Sequence, residues 1–161
     1  MIKKFNILFI TFFKIGKIKF APGTIASLIT CLLFFLFANL SNIVILFFCT
    51  LLIALYSLVA INNSFDSFDS EDPPEIVIDE VVGQILPLLA IPIYETLYIA
   101  PKEYYYIAAF ILFRLFDIWK PFPINYIDKN IEGSFGVMLD DILAGIYTIA
   151  VLTIIFFFIG G

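Results

Sequence analysis

Five apolar segments with few charges run through this chain, at about residues 25–40, 43–61, 76–100, 104–119 and 137–161. A helix needs about 20 apolar residues to cross the hydrocarbon core of a bilayer. The chain is 62% apolar and 14% charged, whereas a soluble domain is about 45–50% apolar and about 25% charged. We therefore predict an all-α fold, a multi-span membrane bundle of about five hydrophobic helices that forms one domain over residues 1–161.

A shorter apolar run, Phe5 to Phe13, lies between two groups of lysines near the N-terminus. As a helix it would rise only about 14 Å, roughly half the hydrocarbon core. Its length and its flanking lysines predict a short helix that lies in the membrane interface. The third long segment contains Pro87 and Pro92, so we expect it to be kinked or broken.

Composition excludes several kinds of chemistry. The chain has no histidine, which removes histidine acid–base catalysis and the commonest zinc ligands. Cys31 and Cys49 both lie in apolar runs without a second cysteine nearby, so they indicate packing rather than a metal or redox site. With no basic stripe, we expect no nucleic-acid partner.

The distribution of lysine predicts the orientation in the membrane. If the N-terminus is cytoplasmic, the five-span arrangement places seven lysines on the cytoplasmic side and only Lys102 on the other, as the positive-inside rule requires. The starts of the first, third and fifth segments and the end of the fourth then meet at the cytoplasmic face. We expect a multi-pass protein of the cytoplasmic (inner) membrane with a polar site that faces the cytoplasm.

This topology gathers five carboxylates from three segments at one depth: Asp79, Glu80, Asp117, Asp140 and Asp141. An ionisable residue at mid-membrane costs about 2.5–3.5 kcal/mol on insertion scales and usually marks function. A divalent cation would neutralise several of these carboxylates at once, and oxygen ligands without histidine or cysteine favour Mg²⁺. The alternative is a set of internal salt bridges.

Basic side chains and a helix start accompany these carboxylates. Arg114, Asp117 and Lys120 follow an i, i+3, i+6 spacing that can present one metal ligand and two cations to a phosphate group. The segment Pro22-Gly23-Thr24-Ile25-Ala26-Ser27 combines a glycine, two hydroxyls and the free N–H groups of a helix start, which suits an anion. The connector 131–136 has two glycines that allow close backbone approach to a ligand.

Four blocks in the chain resemble the phosphatidylglycerophosphatase A family: APGTIAS (21–27), EIVIDEVVGQ (75–84), FRLFDIWKPFPI (113–124) and GSFGVMLDDILAG (133–145). They occur in the family's order and span nearly the whole chain. One departure is Ala26, where the family pattern has glycine. The resemblance implies a membrane-embedded, Mg²⁺-dependent enzyme that removes the terminal phosphate of phosphatidylglycerophosphate to give phosphatidylglycerol.

The resemblance implies functional roles for the residues that the topology brings together. We assign metal binding to Asp79, Glu80, Asp140 and Asp141. Asp117 is a further ligand or the base that activates water, and Lys120 binds phosphate oxygens with Arg114. The helix start contributes Gly23, Thr24 and Ser27 to phosphate binding. Water or an aspartate is the nucleophile.

Each of these residues also has a purely structural interpretation. Acidic pairs are favoured at helix starts by the macrodipole, Arg114 and Asp117 can form a simple i, i+3 salt bridge, and Lys120 can extend to the interface. Residues 22–27 can be a turn with a helix cap.

Two other functions remain compatible with the sequence. One is a phosphatase that acts on another lipid phosphate. The other, from a different class, is a cation transporter or channel that uses intramembrane carboxylates. In every case membrane lipid is a partner, and the oligomeric state is left open.

Overall fold

The computed structural model describes residues 2–37, 42–68, 73–98 and 100–159. Within these ranges the chain forms α-helices and two short 3-10 helices, Ile15–Lys17 and Phe65–Ser67, with no β-strand. The prediction of an all-α fold is confirmed. The α-helices are α1 (Ile2–Ile10), α2 (Pro22–Phe37), α3 (Ile43–Asn62), α4 (Ile78–Leu97), α5 (Lys102–Trp119), α6 (Ile124–Asn130) and α7 (Gly133–Ile159).

Five of these helices are the predicted apolar segments, and three of them are both long and apolar enough to cross a membrane: α3, α4 and α7. Helix α2 has 16 residues, and α5 carries four charged side chains. Of the 18 consecutive residues that make up the most apolar part of α3, only 17% are buried in the protein. Large apolar side chains on its surface therefore remain available to lipid.

Helix α4 is the centre of the bundle and packs against α2, α3, α5 and α7. Pro87 and Pro92 lie inside it, yet α4 is one continuous helix, so of the two expected outcomes, a kink or a break, the break does not occur. An interior proline removes one backbone hydrogen bond, and packing by neighbouring helices compensates for that loss in membrane helices. Pro87 is buried, which places it among those neighbours.

Several helix boundaries differ from the predicted ones. Helix α1 begins and ends about three residues before the expected Phe5–Phe13, and α7 begins at Gly133 rather than Val137. No helix was predicted in the connector between α5 and α7, and the structure places α6 there. Helix α2 starts at Pro22, since the fixed φ of proline suits the first helical position. The polar residues 39–42, between the first two apolar segments, predict a turn. Residues 39–41 lie outside the described residues, and the Asn42 side chain caps α3 by accepting a hydrogen bond from the Val44 N–H.

Candidate active site

The starts of α4 and α7, the end of α5 and helix α6 surround a cavity of about 290 Å³. All five of the predicted carboxylates and Lys120 line it. The structure thus brings together the side chains that the predicted topology gathers. The lining residues are Pro73, Pro74, Ile76, Asp79, Glu80, Asp117, Lys120, Asp128, Lys129, Ile131, Glu132, Gly133, Gly136, Val137, Asp140 and Asp141.

Three carboxylates form a tight group in this cavity. Asp79, Glu80 and Asp141 each place one oxygen so that all three oxygens lie within 4.8 Å of one another. Asp79 and Asp141 are 7% and 3% exposed. A metal site also requires carboxylate oxygens that have no other partner. Asp79 Oδ1, Glu80 Oε2 and Asp141 Oδ1 are buried without a hydrogen-bond partner among the described residues. Buried, unpartnered carboxylate oxygens are costly, and a hard divalent cation such as Mg²⁺ fits this all-oxygen set.

Asp140 has a different environment from the other metal-ligand candidates. Its Oδ2 accepts a hydrogen bond from Lys120 Nζ at 2.7 Å, and its Oδ1 accepts one from the Asp141 N–H at 3.0 Å. Lys120 Nζ also contacts Asp128 Oδ1 at 2.5 Å. Lys120 therefore lies between two carboxylates and links α6 to α7.

The conformation and charge of Lys120 follow from its position at the end of α5. Its φ of 46° is left-handed and turns the chain out of the helix. Burial by itself would lower the pKa of the Lys120 ammonium, but hydrogen bonds to Asp128 and Asp140 and the charges of these carboxylates raise it above its ordinary value. Lys120 is therefore a fixed positive charge at the cavity wall.

Asp117 lines the cavity, whereas Arg114 does not. The two side chains form an ion pair at 2.5 Å, and each is 13% exposed. Arg114 Nη1 also donates a long hydrogen bond of 3.5 Å to Ser27 Oγ, and this hydroxyl donates to the Gly23 carbonyl at 2.9 Å. Arg114 thus connects Asp117 to the start of α2 and holds the Asp117 carboxylate in place.

The α2 residues predicted to bind phosphate lie behind the carboxylates. Gly23, Thr24 and Ser27 do not line the cavity. A Cβ atom at Gly23 would overlap Glu80 Oε1, so the glycine permits the Glu80 carboxylate to lie against the backbone of α2. The structure brings Gly23 and Ser27 to the site as supports for Glu80 and Arg114, while Thr24 is half-buried beside them.

Helix α6 and the residues after it make a contribution to the site that the sequence did not reveal. Asp128 binds Lys120, and Lys129 and Glu132 line the cavity. Asp128 follows Lys120 by eight residues, with Pro121 and Pro123 between them, so no helical spacing could have paired the two side chains. The connector glycines were expected to let a ligand approach the backbone. At Gly136 the group that lies against the backbone is instead the Ile131 carbonyl, which a Cβ atom would overlap.

Comparison with known proteins identifies the family of this chain. The family model described as phosphatidylglycerophosphatase A matches residues 8–156. The chain belongs to the phosphatidylglycerophosphatase A family. No solved structure matches it.

Three curated relatives are similar over much of the chain. A Bacteroides thetaiotaomicron protein named "Putative phosphatidylinositol-3-phosphatase" is 39% identical over 93% of this chain and 92% of its own length. The phosphatidylglycerophosphatase A of Haemophilus influenzae is 39% identical over 85% of this chain and 80% of its own length. That of Escherichia coli is 38% identical over 55% of this chain and 45% of its own length.

Membership of the phosphatidylglycerophosphatase A family establishes this chain as a phosphatase. Its apolar helices associate it with a membrane. The alternative of a cation transporter does not suit this family of enzymes.

Proposed function

We propose that this phosphatidylglycerophosphatase A family member is a Mg²⁺-dependent enzyme that hydrolyses phosphatidylglycerophosphate to phosphatidylglycerol and inorganic phosphate. One observation carries the proposal: the buried oxygens of Asp79, Glu80 and Asp141 line the same cavity as Lys120. This arrangement combines a cation site with a fixed positive charge, which phosphoryl transfer requires. We further propose that the cavity faces the cytoplasm from the inner membrane, because lysines concentrate on that side.

Mg²⁺ would be held by Asp79, Glu80 and Asp141, with Asp140 beside them. When bound, such an ion polarises a phosphoryl oxygen, neutralises developing negative charge and makes water more acidic. The donor set supports the assignment because it contains only carboxylate oxygens, two from the first turn of α4 and one, that of Asp141, from the third turn of α7.

The remaining side chains would bind the phosphate and move a proton. The Lys120 ammonium has three N–H donors, of which two are used by Asp128 and Asp140, so one donor is left for a phosphate oxygen. Asp117 would accept the proton of the attacking water, or serve as a further metal ligand, while Arg114 orients its carboxylate. The new P–O bond forms as the bond to the glycerol oxygen breaks, and that oxygen takes up a proton from solvent.

A second lipid phosphate is a specific alternative substrate. The Bacteroides thetaiotaomicron relative, whose name refers to phosphatidylinositol 3-phosphate, aligns with 93% of this chain at 39% identity. Phosphatidylinositol 3-phosphate is also a lipid phosphomonoester, so the same metal and lysine chemistry would apply to it.

The test is release of inorganic phosphate from each lipid in micelles of an uncharged detergent, with Mg²⁺ or with EDTA. We expect release from phosphatidylglycerophosphate that EDTA abolishes and that Asp79→Asn lowers by at least about a thousandfold, as loss of a main metal ligand predicts. Asp66→Asn is the matched control, because Asp66 is an exposed residue away from the cavity. Faster phosphate release from phosphatidylinositol 3-phosphate would make that lipid the substrate in place of phosphatidylglycerophosphate. Full activity in EDTA would contradict the proposed dependence on Mg²⁺.

A further inference from the structure

A second cavity, of about 480 Å³, lies beside the carboxylate cavity. Pro74 lines both cavities, so a single residue separates them at this point. Nothing in the proposed hydrolysis uses the second cavity. It is lined by Gly16, Lys17, Ile18, Lys19, Pro22, Ser67, Phe68, Pro74 and Glu75.

The charges around the second cavity favour an anion. Lys17 and Lys19 contribute two positive charges, and Glu75 contributes one negative charge. Pro22 is the first residue of α2, so the positive end of a 16-residue helix also faces this region. This local balance is opposite to that of the whole chain, whose net charge is −5.

The segment that carries these lysines has the side chains of a membrane interface. Phe13, Ile18 and Phe20 are 71%, 43% and 84% exposed, and they alternate with the exposed lysines of residues 14–19. Basic residues mixed with exposed aromatic and aliphatic side chains are typical of surfaces that lie at the level of lipid headgroups. We therefore expect the second cavity to open at the level of the lipid phosphates.

Tight backbone packing holds this segment next to the first cavity. A Cβ atom at Gly16 would overlap the Glu75 carbonyl, and the Gly16 N–H donates to the Thr11 carbonyl at 3.0 Å. The Val77 N–H donates to the Ile10 carbonyl at 3.0 Å. Gly16 is thus fixed against Glu75, in the segment that leads into Asp79, and Lys17 is the next residue after Gly16.

We propose that the second cavity binds the phosphodiester of the lipid headgroup through Lys17 and Lys19 while the carboxylate cavity holds the terminal phosphomonoester. This inference rests on the proposed function and deepens it. The substrate class is a lipid that carries both a phosphodiester and a terminal phosphomonoester, as phosphatidylglycerophosphate and phosphatidylinositol 3-phosphate do. Phosphatidic acid has the monoester alone and lacks the group that these lysines recognise. Lys17 and Lys19 are therefore specificity-determining residues.

The experiment compares Lys17→Ala/Lys19→Ala with Lys3→Ala/Lys4→Ala in uncharged micelles. Both double variants remove two exposed lysines, but only the first pair lines the second cavity. For phosphatidylglycerophosphate we expect KM to rise about tenfold in the first variant at unchanged kcat, as loss of two partly exposed ion pairs predicts. The same variant should leave the kinetics with phosphatidic acid unchanged. Lys17→Arg/Lys19→Arg should restore the KM.

A direct binding measurement separates this inference from the proposed reaction. Phosphatidylglycerol carries the phosphodiester alone, and its affinity for the intact protein should fall about tenfold in Lys17→Ala/Lys19→Ala and stay unchanged in the control variant. Equal effects of the two double variants, an equal loss with phosphatidic acid, or unchanged phosphatidylglycerol affinity would each overturn the inference. Absence of phosphate release by the wild type, with the lysine-dependent binding intact, would instead overturn the proposed reaction alone.

Discussion

Gly145 of α7 packs directly on the backbone of Gly83 in α4. A Cβ atom at Gly145 would lie 2.6 Å from the Gly83 carbonyl oxygen, and one at Gly83 would lie 2.7 Å from the Asp141 carbonyl oxygen. Each glycine follows a metal-ligand candidate by four residues, one helical turn: Asp79 in α4 and Asp141 in α7. This glycine contact therefore sets the distance between the two helices that carry the carboxylates.

The first prediction concerns this helix contact. In an exposed helix Gly→Ala would stabilise by about 1 kcal/mol, but Gly145→Ala forces a side chain against backbone. We expect it to destabilise the protein by about 1–3 kcal/mol and to lower phosphate release by separating Asp79 from Asp141. Thermal unfolding in detergent and phosphate release measure the two effects.

Ile146→Ala is the control for this prediction, because Ile146 is 47% exposed on the same helix. Its stability and activity should stay close to those of the wild type. A Gly145→Ala variant as stable and active as Ile146→Ala would show that the close approach is not needed.

A second prediction concerns metal binding without reference to activity. Because Mg²⁺ should bind only the folded protein, a concentration one hundred times its Kd should stabilise the protein by about 2.7 kcal/mol. Thermal unfolding with and without EDTA measures this effect. Asp141→Asn should remove most of the stabilisation, and Asp66→Asn, on an exposed 3-10 helix, should retain it. Equal Mg²⁺ stabilisation in both variants would place the ion elsewhere.

The third prediction tests whether Asp128 positions Lys120. The two side chains are 31% and 26% exposed, so solvent weakens their ion pair. We expect Asp128→Asn to lower kcat about three- to tenfold, as loss of an ion pair worth about 1 kcal/mol predicts, with Mg²⁺ stabilisation unchanged. Asp66→Asn is again the matched control. Loss of Mg²⁺ stabilisation in Asp128→Asn would instead make Asp128 part of the metal site.

The fourth prediction concerns the contact between Gly23 and Glu80. Gly23→Ala places a methyl group where the Glu80 carboxylate lies, so the carboxylate must move. We expect Mg²⁺ affinity to fall about tenfold, as disturbance of a group that orients a metal ligand predicts. Titration of activity with Mg²⁺ measures this affinity. Leu28→Ala, at a site on α2 that is 52% exposed, should change it little, and the same result for Gly23→Ala would contradict the contact.

The sequence predicted most of the architecture because its apolar segments are long and clearly bounded. Helix α3 matches its predicted segment to within one residue, since its boundaries are polar residues on both sides. Helix α4 was expected to be kinked or broken at its prolines, and only its packing against α2, α3, α5 and α7 shows why it continues. Helix α6 was missed because seven residues with prolines before them carry too little periodic pattern to identify a helix.

The chain by itself determined that histidine takes no part in the chemistry, which leaves carboxylates and basic side chains as the candidates, and it predicted at which helix ends they lie. It has no histidine, and hydrophobic spacing and lysine distribution bring Asp79, Glu80, Asp117, Asp140 and Asp141 to one surface. Both follow from composition and from linear order, which any sequence displays.

Only the tertiary structure decided which side chains touch. It separates Asp140, paired with Lys120, from the group of Asp79, Glu80 and Asp141, and it places Gly23 behind Glu80 rather than beside a phosphate. These differences depend on distances of a few ångströms between helices far apart in sequence. Such distances are set by close packing at positions such as Gly83 and Gly145, whose contact leaves no periodic pattern in the chain.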